Sequence, residues 1–584
     1  MSELRTIAIM LAAPALMSAA PAHQNHSGPM AHADAATLMA GMTHGGSMRA
    51  MISMSAAVVR ADPPSSIPLH DGLGRIDFRI TTNSPLAQRY FDQGIGFSYG
   101  FNHAAAIASF REAQRLDPAC AMCWWGEALA HGPNINAPLT PEANTEAIRA
   151  IRQAQMLAGP VAPPERALIM ALAKRYTETP DADRAALDGA YADAMLTVAR
   201  YYPANDDIAL LAAEAAMDTL PWDYWMADRQ TAKPRIAEAI RLVETVMARN
   251  PDHPQGAHLY IHLMENGPNP RLAEAAADRL SKPLAPDAGH LVHMPAHIYY
   301  VLGRWKDSIR LNVDAARADE AYIRSSNDRG LVRYGYYPHN VHFIVTSAQM
   351  AGDLPTAIRE AKRLGEILDP EIASKIGWIQ AIYAAPYFAA VQFAAPRDVL
   401  AMAEPDRRLP YARAMRHYAR AVAYAQMRDT RGFDAELKDL ATIRGSSELK
   451  ATIDQGVPAA DLVDLAALVA RGRFASARGH HLAAVGFYRQ AIVIEDRLSY
   501  TEPPFWYYPV HQSLGSALYR AGRFRQAREA FTTALAKTPN NGWALYGLAA
   551  SERALGNRSN AAAAQVKLSR AWLGDPRWLR MERL

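Results

Sequence analysis

The sequence predicts an all-α fold, an α-solenoid of stacked helix pairs behind a disordered N-terminal tail. Three observations carry this. At 584 residues the chain exceeds the size at which a single core stops growing, which asks for several domains or a repeat array. From residue 84 onward the apolar residues follow helical spacing to the end. The pattern A-x3-F-x2-A-x4-P stands at Ala106, Phe110, Ala113 and Pro118, and again at Ala527, Phe531, Ala534 and Pro539. Small residues at these positions let two helices approach closely. The aromatic fills the gap between them, and the proline ends the second helix.

Gly94 and Gly515 stand upstream of the two full copies at the offset a close helix crossing requires. Weaker copies pass through Ala484, Tyr488 and Ala491, through Ser308, Asn312 and Ala315, and near Ala357. With these signatures the chain resembles the tetratricopeptide-repeat superfamily from about 84 to 575, which implies a helical solenoid. Proline-bearing breaks near 395–410 and 444–458 divide it into an N-terminal array, 83–445, and C-terminal repeats, 446–584. The stretches Tyr90-Phe-Asp-Gln-Gly94, Phe101-Asn-His103, Trp124-Trp-Gly126, Gly132-Pro-Asn-Ile-Asn136 and Gly289 to Tyr300 also resemble a bacterial family of exported repeat proteins. That resemblance implies fold and export, and no activity.

Half the residues are apolar, and 62 basic side chains nearly balance 58 acidic ones. The balance gives no case for nucleic acid, and no block of like charge points to a membrane surface. Residues 1–22 read as a secretory signal peptide. Arg5 is the positive region, Thr6 to Met17 the short apolar run, and Ser18-Ala-Ala20 or Ala20-Pro-Ala22 the cleavage site. No later stretch is apolar enough to span a bilayer. The expected location is a bacterial periplasm or the outside of the cell.

Residues 23–82 form the expected tail and linker. His23, His26, His32 and His44 alternate with Met30, Met39, Met42, Met48, Met51 and Met54. Thioether and imidazole together suit copper in both oxidation states. The segment resembles the Met/His-rich stretches of periplasmic copper-handling proteins, and a Met-rich linker is the plainer alternative.

The candidate site lies in the array. His290, His293 and His297 stand at i, i+3 and i+7, so one helix face carries all three. His258 and His262 repeat an i, i+4 spacing upstream, and His339 and His342 an i, i+3 spacing downstream. Registered on the repeats that begin near Pro254, at Gly289 and at Pro338, these seven histidines occupy positions 2, 5 and 9 of three consecutive first helices. In tetratricopeptide arrays those positions line the concave groove. This register groups His258 with His293 and His342, and His262 with His297. It places His290 and His339 one turn away. Neighbouring helices about 8–10 Å apart allow imidazoles to converge on an ion. Seven imidazoles suit a binuclear site with about three on each metal.

All-imidazole ligation fits copper, zinc, iron or nickel, and the Met/His tail selects copper, with zinc or iron as alternatives. The His-x3-His pairs resemble in spacing alone the binuclear copper centres of tyrosinases and haemocyanins. An open site of that kind would make the protein a copper-dependent oxidase or oxygenase, and a saturated one a copper-binding factor. A metal-free peptide- or protein-binding scaffold is the second class, and a zinc-dependent hydrolase with Glu265 as catalytic base the third. Glu265 reads equally as a carboxylate that orients a ligand or as a solvated helix end. Glu214, Asp218 and Asp223 are weaker candidates for the same groove.

Two irregularities bear on the register. Gly289 and Pro338 are 49 residues apart, longer than the usual repeat, and Pro295 falls inside the helix that carries three histidines. Cys120 and Cys123 read as two small buried residues beside Trp124 and Trp125, with a disulfide in an oxidising compartment as the alternative. Phe505-Trp-Tyr-Tyr508 reads as core.

Overall fold

The computed structural model describes residue 63 and residues 67–584. Residues 1–22, read as a signal peptide, and the Met/His segment lie outside the described residues. The helices follow the chain largely in pairs. α1 (Pro85–Tyr99) packs on α2 (His103–Leu116), and α3 (Ala121–His131) on α4 (Pro141–Leu157). α5 (Pro163–Leu172) leads to α6 (Arg184–Tyr201) and α7 (Asp206–Asp218), then to α8 (Pro234–Arg249), α9 (Pro254–Glu265) and α10 (Glu274–Leu280). α11 (Gly289–His293) and α12 (Pro295–Val301) pack on α13 (Trp305–Ser326), and α14 (Tyr337–Ala351) on α15 (Leu354–Ile367). Four short helices follow: α16 (Pro370–Lys375), α17 (Gly377–Ile382), α18 (Ala385–Phe393) and α19 (Pro396–Leu400). The last are α20 (Pro410–Met427) with α21 (Thr430–Arg444), α22 (Ser447–Asp454), α23 (Ala459–Ala477) with α24 (His481–Glu495), α25 (His511–Arg520) with α26 (Phe524–Lys537), and α27 (Gly542–Ala554) with α28 (Arg558–Ala571).

Local chemistry sets many of the starts. Ser84, Asn102, Thr140 and Asn205 cap their helices by accepting a backbone N–H. Proline in the first turn of α1, α4, α8 and α9 removes a donor that would otherwise be orphaned. The repeat signature does the packing expected of it. Phe110 wedges between two glycines, and a Cβ at Gly94 or Gly126 would lie 2.5 or 2.4 Å from its ring. Phe531 sits in the same way between Gly515 and Gly547, where a Cβ would lie 2.8 or 2.2 Å away. The fold is therefore an all-α solenoid of tetratricopeptide-type helix pairs. Among the described residues, the β pairings outside strands are the isolated bridges Asn134–Ala137 and Trp225–Ala232. No described helix is long and apolar enough to cross a membrane.

Residues 67–82, expected as linker, are docked rather than free. Ile67, Leu73 and Phe78 are buried, Tyr90 donates to the Ile67 carbonyl, and Gln93 accepts from the His70 N–H at 2.7 Å. Cys120 and Cys123 are both buried, as expected, and joined by a disulfide, so the alternative reading is the one observed. Two extended cores follow the chain, one from Ile67 to Tyr336 and one from Tyr300 to Leu584. The C-terminal repeats fold back on the middle of the chain. Trp543 Nε1 donates to the Gln349 carbonyl at 2.9 Å, and Trp305 Nε1 to the Asn540 carbonyl at 3.1 Å. This return brings Glu502 against His297.

A candidate metal centre

α9 presents His258 and His262 from one face. Pro295 has no N–H to return to the preceding turn, so the next first helix divides at Met294 into α11 with His290 and His293 and α12 with His297. The long interval before Pro338 is taken up by the 22-residue α13 and a π-helical turn, Val332–Tyr336, which delivers α14 with His339 and His342.

The seven histidines come together, in a different grouping from the repeat register. One nitrogen each of His258, His262 and His290 lies within 4.8 Å of the others, and the same holds for His293, His297 and His339. The two triads adjoin, with ring centroids 5.8 Å apart for His262 and His297 and 6.2 Å for His290 and His293. His342 stands on a cavity wall beside them, outside both triads. The expected concave-groove position is corrected as well. His258, His262, His293 and His297 are at most 4 % exposed, packed among Phe101, Trp222 and Phe343, with Glu502 of the C-terminal repeats against His297.

Hydrogen bonds aim the rings. His258 Nδ1 lies 2.9 Å from Gln255 Oε1, and the Gln255 amide donates to Glu214 at 3.1 Å, which fixes its oxygen toward the ring. His293 Nδ1 lies 2.6 Å from Asn312 Oδ1, and the Asn312 amide donates to the Ser308 carbonyl at 2.8 Å. Glu265 takes two rings, His262 Nδ1 at 2.9 Å and His297 Nδ1 at 2.5 Å. The amide oxygens place the proton of His258 and His293 on Nδ1 and leave Nε2 with the lone pair, and Glu265 in its ionised form does the same for His262 and His297. The lone pairs of His293 and His297 point at one another, with their Nε2 atoms 2.6 Å apart, and His262 Nε2 is buried without a hydrogen-bond partner; His290 Nε2 lies 3.2 Å from His258 Nε2, a distance at which it can donate to that lone pair. Opposed imidazole lone pairs repel unless a cation lies among them, and a ligand histidine held through its other nitrogen is the usual arrangement around a bound metal. The donor set therefore fits transition-metal ions at two adjacent places.

Burial holds all seven imidazoles neutral. Desolvation takes His258, His297 and His342 down to about 3, and it carries His262, His290, His293 and His339 well below the ordinary value, with their neighbours' charges adding to the effect. Neutral imidazole is the ligating form. Glu265 is buried, which rules out the solvated helix end. Burial raises its carboxyl to about 8. Glu502 also faces His297 Nδ1, and burial together with the charge of Glu265 pushes it well up. Glu214 reaches the cluster through Gln255. Asp218 pairs with Arg175 at 2.8 Å and Asp223 with Lys233 at 2.5 Å, so neither belongs to it.

Aromatic rings seal the triads. Phe101 lies 4.7 Å from the His258 ring and 5.2 Å from His290, and Phe343 lies 4.9 Å from His293 and 5.0 Å from His339. Trp222 is 5.0 Å from His262, and Tyr336 is 4.7 Å from His290. Phe101 and Trp222 both hold positive φ, 53° and 63°, a strained conformation for a bulky side chain that the surrounding packing must enforce. A cavity of about 120 Å³ opens beside the triads. His290, His297, His339 and Glu502 face it on one side, and Trp378, Phe388, Phe505 and Tyr507 on the other.

Glu502, Tyr336, Trp222 and Gln255 carried no signal in the sequence, and Phe101 stood out only within the stretch Phe101-Asn-His103. Asn312 did: it occupies the place where the repeat signature puts an aromatic, and the polar exception is the residue that holds His293.

Residues 508–541, the segment around Phe531, match the tetratricopeptide repeat family. No curated protein matches the chain. Among solved structures, the human IFIT1 dimer with m7Gppp-AAAA aligns at 12% identity and a TM-score of 0.29, covering 77% of this chain and 90% of that one. The TPR domain of P58(IPK) aligns at 12% identity and a TM-score of 0.22, covering 80% of this chain and 98% of that one. At these scores neither neighbour bears on what this chain binds.

Proposed function

We propose that this chain is an exported copper-binding protein whose two histidine triads hold a binuclear centre beside a small-molecule cavity, and that it acts as a copper-dependent oxidase or oxygenase. One observation carries the reading. His293 and His297, held through Nδ1, turn their Nε2 atoms toward each other at 2.6 Å in a dry interior, where a cation relieves the opposed lone pairs. Imidazole donors admit copper, zinc and iron, and the Met/His segment at 23–60 favours copper. The adjacent cavity supports chemistry on a substrate rather than storage alone, because a storage site needs no second compartment. Export is supported by the leader-like residues 1–22 and by the Cys120–Cys123 disulfide. Glu265 works against a zinc hydrolase, since both its oxygens are engaged by histidines and neither is free to take a proton from water.

Elemental analysis of protein lacking residues 23–60, purified without an affinity tag, tests the metal reading. Bound copper is expected, with part of it lost in His293→Ala plus His297→Ala and the rest in His258→Ala plus His262→Ala. Protein that binds no copper, zinc or iron even after reconstitution refutes the centre and leaves a metal-free protein-binding scaffold. Oxygen uptake with a phenol or Cu(I) then separates an oxidase from a store.

A further inference from the structure

The C-terminal repeats enclose a second cavity, of about 420 Å³, that contains no histidine. Arg428, Arg473, Arg520, Arg580 and Arg583 line it, against the single acidic side chain of Glu582. None of these five guanidinium groups forms an ion pair among the described residues. Arg473 on α23 is the most exacting case. Its Nη1 donates to the Arg583 carbonyl at 3.1 Å, its guanidinium lies 6.0 Å from the Tyr508 ring, and its Nε is buried with no hydrogen-bond partner. Tyrosines, not carboxylates, surround it. Arg520 on α25 finds only the Ser476 hydroxyl, at a long 3.5 Å. Elsewhere the protein does pair its buried arginines: Arg175 meets Asp188 at 3.0 Å and Asp218 at 2.8 Å.

Arg428, Arg580 and Arg583 are exposed at the cavity's rim, and Arg473 and Arg520 are half-buried; a guanidinium whose Nε is buried without a partner is unfavourable, so Arg473 at the centre of this basic lining marks the place of a negative ligand. Guanidinium groups recognise planar carboxylate and phosphate oxygens through paired N–H donors. The cavity is within the range of small-molecule sites, too large for a lone halide to fill. We propose that it binds a small organic polyanion, a compound with two or more carboxylate or phosphate groups, with Arg473 and Arg520 as principal contacts. Tyr507 lines both this cavity and the one beside the histidines, so the two compartments share a wall.

Titration calorimetry of the full chain with citrate and, separately, with pyrophosphate tests this. At least one probe binds the unaltered protein, and Arg473→Met and Arg520→Gln each weaken that binding by about tenfold or more, the scale of a lost charge-assisted contact. The stronger probe tells carboxylate from phosphate recognition. Failure of both probes to bind, or equal binding by the variants, overturns the proposal. If Arg473→Met does not fold, the half-buried Arg520 still decides it.

Discussion

The two cavities are built on one kind of scaffold and are short of opposite charges. Around His258–His342 the helices bring together neutral donors whose lone pairs converge. Around Arg473 they bring together cations that line one cavity without an ion-pair partner. The flanking helix pairs of both ends share one device, an aromatic wedged between two glycines: Phe110 at the N-terminal end of the array, Phe531 in the C-terminal repeats. The repeat signature thus decides how the helices stack and leaves their inner faces free to differ. What each region binds is read from the imbalance of those faces, not from the fold.

Acid separates the two regions most sharply. The seven histidines are held neutral by burial, with folded values well under the ordinary 6.5, so their contribution to stability is full above about pH 6.5 and is lost as pH falls toward about 3. Each adds up to about 1.4 kcal/mol per pH unit in that window. Chelated protein is therefore expected to lose several kcal/mol between pH 7 and pH 5.5, measured by urea denaturation, and metal-loaded protein less, since metal competes with protons. Anion binding at the arginines persists over the same range, because guanidinium stays charged. Equal acid sensitivity with and without metal would break the contrast.

Next in size are the wedges. Phe110→Ala and Phe531→Ala are each expected to cost about 3–5 kcal/mol, read from urea midpoints. A variant-specific second transition would show that the regions unfold separately, and a common shift that they unfold together. Smaller still is the effect of the groups that aim the rings. Asn312→Leu or Gln255→Leu is expected to weaken metal binding by about 10–100-fold in a competition titration while leaving binding at the arginine cavity unchanged. A variant that lowered both would mean the substitution disturbs the scaffold.

The local parts of this structure were legible in the sequence. The wedge, its flanking glycines and the i, i+4 histidines of α9 depend on neighbours a turn or a helix away, and spacing reports those. The grouping of histidines was not legible. It depends on the break at Pro295, on the length of α13 and on the π turn at Val332–Tyr336; the sequence shows the proline and the long interval, but not by how much each rotates or shifts a helix. Phe101 and Trp222 hold a backbone conformation their residue types disfavour, so propensity pointed elsewhere. Glu502 stands 205 residues beyond His297 in the chain, and no pattern links the two.

That last separation sets an order of events during synthesis. When the final histidine of the cluster, His342, has been made, Glu502, Phe505 and Tyr507 have not, and the cavity beside the histidines lacks those walls. A nascent or truncated chain that ends between these points carries every imidazole of the cluster and only part of the compartment beside it.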